Sequence, residues 1–117
     1  MFIFTIAYTL LTPLIMILIG LIWRKHPPKT MNGVYGYRTN SSMKNQETWD
    51  YAHTACSKVW IILGSLVLLI SLIFCVLYTE VSVTQMENLS IIVVIFQCIS
   101  LVLSIVPVEI MIKRKFR

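Results

Sequence analysis

Three long stretches of the chain carry no charged side chain: Phe2 to Trp23 over 22 residues, Val59 to Thr79 over 21 and Leu89 to Val108 over 20. A helix rises about 1.5 Å per residue, so each stretch reaches roughly 30 Å, the thickness of a bilayer's hydrocarbon core. Barrel strands in membranes alternate over about ten residues instead of running apolar throughout. The pattern predicts an all-α membrane protein with three transmembrane helices, at about 2–23, 59–79 and 89–112, in one integral-membrane domain covering 1–117. The first stretch reads as a retained span rather than a cleaved signal. Nothing positive precedes it, and no small-x-small cleavage site follows it.

The polar and small residues within these spans recur on one face. Thr5, Thr9, Thr12 and Met16 are spaced at i, i+4, i+7 and i+11, with Gly20 a turn beyond. Ser57, Gly64 and Ser71 are seven apart, as are Ser90, Gln97 and Ser104. Lipid is as apolar as leucine, so helices within it associate through small and polar residues. The stripes predict the seams of a left-handed three-helix bundle. A polar path would call for an ionisable group near mid-membrane, and the spans have none. Pro13 and Pro107 predict local kinks. Glu109 stands one turn before Lys113, a favourable i,i+4 order that reads as a structural pair.

The link 24–58 is far longer than the roughly 2–8 residues that usually join two helices. His26-Pro27-Pro28 ends the first span, because proline cannot continue a helix. Asn32-Gly33-Val34-Tyr35-Gly36-Tyr37-Arg38-Thr39 then predicts a tight, shaped loop, with Ser41 or Ser42 as a helix N-cap. Trp49, Ala52, Cys56, Val59 and Trp60 fall on one face of the helix that follows, and Lys44, Glu47, Asp50 and Lys58 lie mostly off it. This predicts an amphipathic helix in the membrane interface, turning into the second span. One continuous helix that protrudes from the membrane is the alternative.

Composition agrees. Apolar residues make up 57% of the chain and charged residues 13%, against about 25% charged in a soluble domain. The net charge of +5 is distributed in one sense. Arg24, Lys25, Lys29, Arg38, Lys44 and Lys58 lie between the first two spans, and Lys113, Arg114, Lys115 and Arg117 follow the third. The 80–88 link has Glu80 and Glu87 and no base. The positive-inside rule therefore predicts an outer N-terminus, an outer 80–88 link and a cytoplasmic C-terminus. Trp23 and Trp60 are expected at the inner interface and Tyr78 near the outer one. The tail Lys113–Arg117 reads as a contact with anionic lipid rather than nucleic acid.

Cys56, Cys75 and Cys98 show no paired spacing and are expected to be free thiols, buried or nearly so. No zinc pattern, nucleophile–base pair or phosphate loop is visible, so neither catalysis, a metal nor a cofactor is expected. Ser41, Ser42 and His53 are near one another, but hydroxyls beside a helix cap are expected there anyway.

Asn32, Gly36, Arg38 and Thr39 form Asn-x-x-x-Gly-x-Arg-Thr, followed by Trp49 ten residues later and then Ala52. This motif resembles the signature of the SdpI family of small bacterial membrane proteins, in particular its short, single-domain members. The resemblance covers roughly residues 27–60. It implies a multi-pass protein of the bacterial cytoplasmic membrane and non-catalytic immunity against a membrane-active peptide toxin. In the best-known member, which is larger, it also implies recruitment of a cytoplasmic regulator.

In physical terms, Arg38 beside a helix start suits an anion at the inner surface: a lipid head group, a peptide carboxylate or an acidic side chain. Alternatively Arg38 holds the loop together by binding Asp50, Glu109 or loop carbonyls. Tyr35 and Tyr37 are interfacial anchors or ligand contacts, and Trp49 packs the helix onto the bundle. Asn32, Tyr35, Gly36, Arg38, Thr39 and Trp49 are the candidate site, with a toxin, anionic lipids, a regulator or a second copy of the chain as candidate partners. A holin-like oligomer or other accessory membrane subunit fits the hydropathy equally well. It would not require the ordered 32–52 segment.

Overall fold

The computed structural model describes residues 2–29 and 35–116. These residues are all-helical, in the order α1 (Phe2–Lys25), α2 (Gln46–Tyr78), α3 (Val83–Leu103) and α4 (Ile105–Lys115). α1, α2 and the α3–α4 pair are three units long and apolar enough to cross a membrane. The particle measures 52 × 23 × 21 Å, an elongated bundle.

The polar stripes are the seams. Thr5, Thr9, Pro13, Met16 and Gly20 are the buried residues of α1. Ser57, Gly64 and Ser71 are buried in α2, and Ser90, Gln97 and Ser100 in α3. Leu14, Leu18, Leu69, Ile73, Ile95 and Val102 point outward, as a lipid solvent demands. α1 packs chiefly on α2, and glycine makes that approach possible. A Cβ on Gly64 would lie 3.0 Å from the Ile17 Cγ1, and one on Gly20 would lie 2.8 Å from the Ile61 Cγ1.

Hydrogen bonds add to the seams. The Gln97 amide donates to the Thr9 carbonyl at 2.6 Å and to the Ser71 hydroxyl at 2.9 Å. Its Oε1 is buried without a partner among the described residues. The Tyr8 hydroxyl donates to Ser90, and the Thr9 and Tyr78 hydroxyls lie 3.3 Å apart. Tyr78, the last residue of α2, is thus 2% exposed, packed inside the bundle.

α1 ends at Lys25, before His26-Pro27-Pro28, as anticipated. The third span is interrupted at Ser104, between α3 and α4. Pro107 lies three residues on, and it lacks the N–H that would bond the Leu103 carbonyl, so the break falls just before it. Trp23 and Trp60 stack at 5.8 Å between ring centroids, and the Trp60 indole donates to the Ser104 hydroxyl at 3.1 Å. All three cysteines are free; Cys56 and Cys75 are buried, whereas Cys98 is exposed on the outer surface, contrary to expectation.

The largest correction concerns 41–58. No separate interfacial helix exists among the described residues, because α2 runs unbroken from Gln46 to Tyr78. At 1.5 Å per residue such a helix is about 50 Å long, well beyond the hydrocarbon core, so its first turns protrude. The apolar face meant for lipid is covered by protein instead: Ala52, Ala55 and Cys56 pack with Tyr37 of the loop and with Val108 and Ile112 of α4. The cap differs too. Asn45, not Ser41 or Ser42, caps α2, accepting from the Thr48 N–H at 2.9 Å while the Thr48 hydroxyl accepts from the Asn45 N–H at 3.1 Å.

Candidate functional site

The loop residues Tyr35–Asn45 fold over the protruding start of α2 and are fastened at three points. The first is Gly36, with φ of +111°, a conformation open to glycine. A Cβ there would meet the His53 Nε2 at 2.7 Å and the Trp49 ring at 3.1 Å. The absent side chain lets the next N–H, that of Tyr37, donate to the His53 Nε2 at 2.9 Å. The His53 Nδ1 lies 2.8 Å from the Trp49 carbonyl. One ring nitrogen accepts and the other donates, so His53 is neutral with its proton on Nδ1. Its environment agrees: it is 0% exposed, between Trp23 edge-on at 4.9 Å and Trp49 at 4.5 Å. Burial holds its pKa below the ordinary 6.5, against the opposing pull of the Trp49 carbonyl and the Asp50 charge.

The second point is Glu109 of α4. The Tyr37 hydroxyl donates to its carboxylate at 2.8 Å. Burial and the neighbouring carboxylate both push the Tyr37 hydroxyl above its ordinary pKa. The third point is Trp49, 0% exposed, whose indole N–H donates to the Pro28 carbonyl at 2.7 Å and ties α2 to the chain leaving α1.

Between these points the loop is braced internally. The Thr39 N–H donates to the Ser42 hydroxyl at 2.8 Å, the Ser42 N–H to the Thr39 hydroxyl at 3.2 Å, and the Ser42 hydroxyl to the Tyr37 carbonyl at 2.8 Å. Ser42 and His53 are therefore both engaged with the Tyr37 backbone and not with each other.

The expected residues divide in two. Gly36, Thr39 and Trp49 come together as parts of one packed unit. Tyr35 and Arg38 are exposed on its surface, and each makes contacts there. Asn32 lies outside the described residues. His53, Glu109, Tyr37 and Ser42 are the supports that reading the chain missed as such. A lone carboxylate at the end of an apolar span and a histidine on the apolar face of a helix were the available signals.

Beside the loop, where α4 reaches the start of α2, lies a cleft of about 470 Å³. Ser41, Lys44 and Asn45 line one side; Ile112, Lys113 and Phe116 line the other. The arrangement as a whole can hold a surface rigid and present cations and hydroxyls. Among the described residues, no three of the His, Cys, Asp and Glu side chains gather as a metal cluster would need.

A family model described as the SdpI/YfhL protein family matches residues 29–108, which takes in the loop, α2, α3 and the first residues of α4. The "Uncharacterized protein YfhL" of Bacillus subtilis (strain 168) is 40% identical over 50 residues, 43% of this chain and 46% of that protein. The chain spans about half the length of this curated relative. No solved structure matches it.

Proposed function

The chain belongs to the SdpI/YfhL protein family, and from that premise we propose that this membrane protein protects a bacterial cell against a membrane-active peptide by binding, without catalysis. The observation that carries the reading is the way the motif is spent. Gly36 and Thr39 serve to hold the loop, through His53 and Ser42, and Trp49 ties the start of α2 to Pro28. Tyr35 and Arg38 are held outward on the rigid frame so formed. Pre-organised exposed groups suit recognition, since little order is lost when a partner docks.

In this reading the chain is one domain in the cytoplasmic membrane, with its N-terminus outside and its C-terminus inside. All ten Lys and Arg then share the inner face. Partners would meet the loop there: the toxin or a segment of it, anionic lipid, or a cytoplasmic regulator. Self-association is part of the proposal, because three spans enclose little space of their own.

The test is survival of a sensitive bacterial host expressing the chain under challenge with a membrane-active peptide. Arg38→Ala should lower survival while the protein accumulates and inserts as before. Trp49→Ala is unsuited to this purpose, as the residue is buried. Unchanged survival of Arg38→Ala discards the loop as the recognition surface. Abrupt lysis on induction, with no challenge, contradicts protection and favours a holin-like protein.

A further inference from the structure

The cleft between the start of α2 and the end of α4 has a one-sided charge. Lys44 and Lys113 line it from two different elements, and among the described residues no acid lines it. Glu109, one turn before Lys113 and outside the lining, accepts from the Tyr37 hydroxyl and feels the Lys113 charge. Glu47, in the first turn of α2, is exposed and not part of the lining. Lys115 is directed elsewhere, 5.9 Å over the ring of Tyr51. The polar side is completed by the Ser41 hydroxyl and by Asn45. The Asn45 oxygen is taken by the Thr48 N–H, which leaves its amide NH₂ as a donor.

The opposite wall is apolar. Ile112 is 2% exposed, and Phe116 is held edge-on against Tyr51 at 5.7 Å. The wall sits at the end of α4, beside the basic last turn that follows the apolar span.

We propose that this cleft binds the head group of an anionic phospholipid. The phosphate lies between the Lys44 and Lys113 ammonium groups, within reach of Ser41 and Asn45. The glycerol and the first acyl carbons lie on Ile112 and Phe116. Ammonium groups are compact point charges that suit a phosphate, and basic pockets at the cytoplasmic ends of transmembrane helices attract anionic head groups. A free phosphate offers the same charge but makes no use of the apolar wall. The proposal deepens the reading of this end as an inner-face binding platform and names one occupant for it.

The experiment uses the purified full chain in non-ionic detergent. It is incubated with phosphatidylglycerol or phosphatidylcholine, and bound lipid is counted by native mass spectrometry. The wild type should retain phosphatidylglycerol in preference to phosphatidylcholine. Lys44→Gln with Lys113→Gln should lower phosphatidylglycerol retention on the order of tenfold. Lys25→Gln with Lys29→Gln, which removes equal charge elsewhere, should leave it unchanged. Phe116→Ser should lower it as well, and excess inorganic phosphate should fail to displace the lipid.

Equal retention by the two double variants overturns the site. Displacement by inorganic phosphate overturns the lipid as its occupant. The measurement involves no toxin and no orientation in a cell, so its failure is distinguishable from failure of the protective function.

Discussion

The middle of the bundle and its loop-bearing end solve opposite problems. In the middle the surroundings are apolar, and burial of leucine gains nothing. The helices meet through Gly20, Gly64, serines, threonines and one amide, while the large apolar side chains face out. At the end the surroundings are aqueous and interfacial, and the packing reverts to that of a soluble protein. Trp49, Ala52, Cys56, Val108 and Ile112 are inside, charged residues are outside, and the polar groups that are buried, His53 and Ser42, are bonded to the loop backbone. The same helix, α2, takes part in both: Gly64 and Ser71 let α1 and α3 approach its spanning half, while Trp49 and His53 fill its protruding half. The contrast teaches that substitutions rank differently along one helix, since large-to-small changes harm the end and small-to-large changes harm the middle.

Trp49→Ala should have the largest effect. It empties a fully buried site and removes the bond to Pro28, at a cost of about 3–5 kcal/mol. Trp49→Phe keeps most of the bulk and loses the indole donor, so it should cost about 1 kcal/mol more than wild type to keep folded. Denaturation in mixed micelles, followed by circular dichroism, measures both. Similar values for the two would show that the ring packs less than its burial implies.

Gly64→Val tests the middle. Its Cβ would press on Ile17 and Met16, and forcing α1 from α2 should cost about 1–3 kcal/mol. Ala at Ile73, which faces lipid, should cost much less. If the two changes rank the other way, the seam does not depend on close approach.

The smallest effect is that of pH, and it belongs to the end alone. His53 is held below its ordinary 6.5 when folded. As pH falls, the unfolded chain therefore takes up the proton first. The stability linked to His53 is fully present above about pH 6.5 and declines as pH drops beneath it. Protonation would also place an N–H against the Tyr37 N–H. Thermal midpoints from pH 8 to 5 should show this decline, and His53→Gln, which still offers an acceptor, should flatten it. An identical slope in the variant would assign the decline to other groups.

Much of this was legible in the chain. Spans, seams and the ends of α1 follow from hydropathy and the spacing of small residues, because a lipid solvent leaves the helix few alternatives. The end was read less well. The amphipathic face of 46–58 has the same periodicity whether lipid or protein covers it. Its true cover, α4, is over fifty residues away in sequence. Asn45-x-x-Thr48 competes for the cap with the two serines before it, and residue type does not choose among them, since Asn and Ser cap about equally well. Gly36 was recognised as a turn residue, but its partner His53 was not, since nothing local pairs a ring nitrogen with an N–H sixteen residues earlier. Cys98 is exposed although it lies within an apolar span, since hydropathy alone does not say which face of a span meets its neighbours.

The central claim is that the loop, the start of α2 and the Lys44–Lys113 cleft share the cytoplasmic side. Single cysteines at Lys44 and Glu80, labelled with a membrane-impermeant maleimide, test it most directly; Cys56 and Cys75 are buried, and Cys98 lies within an apolar spanning helix. The account predicts that Glu80→Cys reacts in intact cells and Lys44→Cys only after permeabilisation. Labelling of Lys44→Cys in intact cells, with Glu80→Cys protected, would contradict it.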